Sequence, residues 1–103
     1  MARKIIWSET AAKNKEEILQ YWVYRNKSLV YPRKLDKLLH QATKVLARNP
    51  TIGRKTNIVG VRSKLVRHYQ IFYQYSDKII HILLIWDVRR NPENNPYPNY
   101  DFD

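Results

Sequence analysis

Hydrophobic residues recur along this chain with two different periods, and the change of period divides it into a helical first half and a sheet-forming second half. Leu35, Leu38, Leu39, Ala42, Val45 and Leu46 fall at i, i+3, i+4, i+7, i+10 and i+11, the stripe of an amphipathic helix, which no strand period fits. Ser28 can cap this helix, Pro32 is tolerated in its first turn, and Pro50 stops it. An earlier segment carries Ala11, Ile18, Leu19, Trp22 and Val23 at helical spacing, with Ser8 as cap, Glu9 in the first turn and an end near Asn26. Two such helices with a few residues between them form an antiparallel hairpin.

Beyond Val59 the period becomes two. Residues 71–75 and 79–86 are dense in β-branched and aromatic types, and Ser76-Asp77 between them suits a two-residue turn. That register places Tyr69, Ile71, Tyr73, Ile80, Ile82, Leu84 and Trp86 on one buried face. The opposite face then carries Gln70, Phe72, Gln74, Ile79, His81, Leu83 and Ile85, too apolar for solvent and too polar for a sealed core, so partial cover is expected. A preceding hairpin turns at Arg67-His68, where histidine tolerates a positive φ, and sets Val66 across from Tyr69. The same register brings Arg62 and Lys64 to the buried face, a conflict relieved if they lie near the sheet's edge or if a bulge intervenes. A short β-branched run at 4–7 adds a strand before the first helix, and 51–58 reads as a connecting loop. The expected order is β-α-α-β-β-β: an α+β fold, an antiparallel-type sheet with the helical hairpin packed on one face.

A length of 103 residues bounds the chain to one domain, read as a body over 1–92 and an acidic, Pro/Asn-rich tail over 93–103. The absence of cysteine removes disulfides and thiolate-bound metal. No run approaches the roughly 18 apolar residues of a membrane span, and the amino terminus lacks a signal-like segment, so the expectation is a soluble, cytoplasmic protein with no membrane partner. A net charge of +10, from 19 Lys and Arg against 9 Asp and Glu, points to a polyanionic or acidic partner. His40, His68 and His81 have no metal-site spacing, and no cofactor is implied. Paired carboxylates, a phosphate loop and a nucleophile motif are all missing; His81, placed across from Phe72, is the one candidate general base.

Three segments carry a resemblance. Leu46 to Gly53 contains L-x-x-x-P-x-x-G, Arg62 to Tyr73 contains R-x-x-x-V-x-x-Y-x-I-x-Y, and Ile80 to Arg89 contains I-x-I-L-x-I-x-x-x-R. In this order and spacing they resemble the RelE/ParE superfamily, toxins of bacterial type II toxin-antitoxin modules, often grouped with plasmid stabilisation proteins. The resemblance implies growth inhibition, neutralisation by a cognate acidic antitoxin, and a basic groove on the sheet face away from the helices. It also implies one of two targets. RelE-like members cleave mRNA on the ribosome, and here Arg62, Lys64, Arg89 or Arg90, and Tyr97 resemble their functional set. ParE-like members bind DNA gyrase and lack that set.

The position of the RelE-like strand arginine is Gln70 in this sequence, and a neutral amide cannot offset charge building on a phosphorane. The departure favours the ParE-like branch over the ribosome-dependent endoribonuclease, with an inert relative as a third possibility. Arg67, Gln70, Phe72, His81, Leu83, Ile85 and Arg90 are the expected contacts with target or antitoxin, Phe72, Leu83 and Ile85 as apolar anchors.

Overall fold

The Ser8 hydroxyl accepts the N–H of Ala11 at 2.9 Å and donates to the Leu83 carbonyl at 2.9 Å, so one side chain caps the first helix and ties it to the last strand. The structure, a computed structural model, describes residues 2–90 and 92–94. Strand β1 (Lys4–Trp7) leads into α1 (Glu9–Asn26), which ends on Lys27 in the left-handed region, and then α2 (Val30–Arg48). The Ser28 hydroxyl accepts the Val30 N–H at 3.2 Å, and Pro32 lies in the first turn. A 3-10 turn (Pro50–Ile52) precedes β2 (Arg54–Lys55), β3 (Arg62–Val66), β4 (Tyr69–Tyr75) and β5 (Ile79–Asp87), and Pro92–Asn94 forms a last 3-10 turn.

The strands form one sheet in the order β1-β5-β4-β3-β2. Its β2–β5 portion is antiparallel, but β1 runs parallel to β5, so the sheet is mixed. No hairpin joins β1 to its partner, and local turn chemistry therefore leaves its direction open. Strand β2, within the expected loop, pairs Arg54 with Ser63 and Lys55 with Arg62. Two charged residues offer no hydrophobic alternation by which to recognise a strand.

The β3–β4 hairpin has the expected register, Val66 opposite Tyr69, but the positive φ of 56° falls on Arg67, not His68. The β4–β5 turn is Asp77-Lys78 and not Ser76-Asp77, because the Ser76 N–H bonds the Ile79 carbonyl at 2.9 Å and Tyr75 pairs with Ile80. This two-residue slip preserves the faces. A bulge beyond it does not: Tyr73 pairs with Ile82 but Phe72 with Leu84, leaving Leu83 unpaired.

After the bulge Ile85 enters the helix-side core, while Leu84 and Trp86 pass to the other face, which corrects the expected placement of all three. The core unites Leu35, Leu39 and Leu46 of α2 with Tyr69, Ile71, Tyr73, Ile80, Ile82 and Ile85, all 4% exposed or less. Trp7 and Trp22 pack against it half-buried.

Candidate functional site

On the sheet face away from the helices, alternation lines up three cross-strand rows. Ile6, His81 and Gln74 form one, Ser63, Phe72 and Leu84 the second, and Leu65, Gln70 and Trp86 the third. Exposure differs along this face. Phe72 and Ser63 are 0% and 3% exposed, whereas Leu65 is 56% and Ile6 37% exposed. Phe72 is therefore no open anchor, although it points away from the helical core, and the accessible apolar surface runs instead through Leu65 and the half-buried Leu84 and Trp86. Leu83 is half-buried at the bulge, and Ile85 faces the core. His81 is half-buried, and its cross-strand neighbours are Ile6 and Gln74, not Phe72.

The two arginines after β5 part company. Arg90 lies over the Trp86 ring at 5.8 Å, on the open-face side. Arg89 turns to the helix side, over the Trp22 ring at 5.9 Å, and grips Asp87 with two side-chain bonds, Nε to Oδ1 at 3.0 Å and Nη2 to Oδ2 at 2.8 Å. The backbone N–H of Arg89 adds a third bond, to Asp87 Oδ1 at 2.9 Å. The guanidinium holds the Asp87 carboxyl below its usual range, and the carboxylate in turn raises Arg89.

Beneath this pair, Trp22 Nε1 donates to the Tyr69 hydroxyl at 2.8 Å, and burial pushes that phenol's pKa up. Tyr21 and Tyr31 meet Trp22 edge-on at 5.1 and 5.0 Å. Between α1 and the end of β5, Tyr21, Tyr69, Asp87 and Arg89 help to line a groove of about 420 Å³, with Asn14 at its wall, whose Oδ1 accepts the Ile85 N–H at 3.2 Å. The sequence motif missed Asp87; its only trace is an acid two residues before an arginine at a strand end.

Arg62 and Lys64 share the helix side of the sheet with their partners Tyr73 and Ile71, on the strand next to the sheet's edge: Arg62 is flanked by Lys55 of the two-residue edge strand β2, and Lys64 lies past its end. The Arg62 guanidinium donates to the carbonyls of Gly53 at 2.8 Å and Thr51 at 3.2 Å, so its charge holds a loop. Lys64 is exposed. Arg62 is in register with Tyr73 and Asp87 with Tyr69, four residues apart on β4 or roughly 13 Å at strand rise. Gln70 faces the opposite side of the sheet from Arg62 and Lys64, and Arg67 is exposed in its turn. Tyr97 lies outside the described residues. Among the described residues no group of three His, Asp or Glu side chains is placed to hold a metal ion.

In this geometry the cations of the sheet are dispersed rather than convergent. The profile of the ParE toxin of the type II toxin-antitoxin system parDE matches residues 5–92. The chain belongs to the ParE toxin family. ParE toxins are components of type II toxin-antitoxin systems, so an antitoxin partner goes with that membership. A solved chain from the "Chromosomal ParDE TA system from P. aeruginosa" shares the ParE fold, with a TM-score of 0.73 at 22% identity over 84% of this chain and 97% of that one. No curated protein sequence matches the chain. Among the described residues no helix is long and apolar enough to cross a membrane.

Proposed function

We propose that this ParE-family chain inhibits growth by binding a target such as DNA gyrase, without cutting RNA, and that a cognate acidic antitoxin neutralises it by covering the open sheet face. The observation that carries the first part is the dispersal of its cations. Phosphoryl cleavage needs several positive groups converging on one phosphate. Here Arg62 is engaged by two backbone carbonyls, Arg89 is neutralised by Asp87, and Gln70 is uncharged on the other side of the sheet. The second part rests on Leu65, Leu84 and Trp86, an apolar strip beside Arg90 on a body of net charge +10, which suits a segment combining apolar anchors with carboxylates.

The test is induction without antitoxin, with translation scored in a purified system and supercoiling scored with purified gyrase. The expected outcome is inhibited supercoiling with intact mRNA. Ribosome-dependent cleavage abolished by Arg62→Ala or Arg89→Ala would overturn the proposal in favour of an endoribonuclease. Silence in both assays would favour an inert relative.

A further inference from the structure

The outer face of α2 is charged with one sign only. Arg33, Lys34, Lys37, Lys44 and Arg48 are all exposed, and at 3.6 residues per turn they fall within a sector of roughly 100°. From Arg33 to Arg48 the stripe is about 22 Å long at helical rise. The one carboxylate of α2, Asp36, points elsewhere: its Oδ1 lies 3.3 Å from both Lys15 of α1 and His40. Among the described residues no acidic side chain pairs with any cation of the stripe. Helix α1, by contrast, mixes Glu9, Glu16 and Glu17 with Lys13, Lys15 and Arg25. Adjacent like charges on one helix face repel one another, so such a stripe costs stability unless an anion meets it.

We infer that the outer face of α2 binds the phosphate backbone of duplex DNA, independently of base sequence. The charge complementarity is direct. A duplex presents one negative charge per roughly 1.7 Å of axis, so a stripe about 22 Å long faces a row of phosphates with every one of its cations. The sector has no aromatic platform; Val30 and Val45 are the exposed apolar residues near it, which disfavours stacking on unpaired bases. Membrane insertion is disfavoured too, because the apolar side of α2, Leu35, Leu39 and Leu46, is fully buried in the core. Binding here needs no gyrase and stands whether or not gyrase is the target.

The test uses the full chain and a labelled random-sequence duplex of about 20 base pairs, titrated by fluorescence anisotropy from about 50 to 200 mM KCl. With the stripe fully engaged, log affinity should fall against log salt with a slope of about −4.5, and Lys37→Gln/Lys44→Gln should make the slope shallower by about 1.8. Lys13→Gln/Lys78→Gln removes the same net charge from exposed sites elsewhere and should leave the slope near that of the parent. Matching circular dichroism melts would verify that each variant is folded. Equal loss in both variants would mean that total charge, not this face, attracts DNA, and would overturn the inference. So would an absence of binding at about 50 mM salt, or capture by phosphatidylglycerol vesicles but not by the duplex.

Discussion

Gly53 and Tyr73 are locked together: the Tyr73 hydroxyl accepts the Gly53 N–H at 3.0 Å while donating to the Pro50 carbonyl at 2.6 Å. A Cβ on Gly53 would overlap that hydroxyl and come within 2.8 Å of the Ser63 carbonyl. The P-x-x-G segment is thus a clamp on a buried phenol, whose pKa burial raises. Gly53→Ala should cost about 2–3 kcal/mol through overpacking against backbone. Tyr73→Phe should cost about 1–3 kcal/mol, since it leaves a buried donor and acceptor without their partner. Urea unfolding measures both, and a neutral Gly53→Ala would mean the clamp has room to shift.

The bulge at Leu83 assigns neighbouring residues to opposite faces. Ile85→Ala should destabilise the free protein by about 2–4 kcal/mol, and Leu84→Ala by less than about 1.5 kcal/mol. Equal costs would contradict the exchange of faces.

Leu65 is 56% exposed on the open face. Leu65→Asp should leave the melting temperature nearly unchanged and abolish co-purification with the cognate antitoxin. Undiminished co-purification would move the antitoxin to another surface.

Asp87 lends acid-sensitive stability. Its carboxyl titrates below its ordinary value of 3.8 because Arg89 bonds the ionised form, so the contribution is complete above about pH 4 and is lost as pH falls through the lower folded value. Asp87→Asn should therefore be less stable than the parent near neutrality, the gap narrowing as the pH falls below the ordinary carboxyl value of 3.8. A gap of constant size across that range would mean the stability difference comes from packing alone.

Much of this architecture is legible in spacing, because the burial of Leu35, Leu39 and Leu46 or of Tyr69, Ile71 and Tyr73 imposes a period that the sequence must obey. What spacing does not reveal is whatever breaks the period. The unpaired Leu83 exchanges the faces of Leu84, Ile85 and Trp86 without any glycine or proline to mark it. The candidate site fares less well for a related reason. Arg62 occupies a motif position, but its role depends on two carbonyls of a preceding turn, and Arg89 depends on Asp87. A list of cations says nothing about which are already spent on the protein's own oxygens.

The parallel pairing of β1 with β5 also sets an order of events. Lys4 meets Ile79 and Trp7 meets Ile82, so the first strand finds its place only after nearly all of the chain has been made. Closing so long a loop is entropically slow, and it comes after the local hairpins of β3, β4 and β5 can form. During synthesis the amino-terminal strand must wait, and so must the bond from the Ser8 hydroxyl to the Leu83 carbonyl, although the cap that the same hydroxyl gives Ala11 is local. A nascent chain of this toxin family member therefore passes through an interval in which β5, later covered by β1, is itself an open edge of the sheet. A partner able to lend a strand during that interval would engage the chain before its fold is complete.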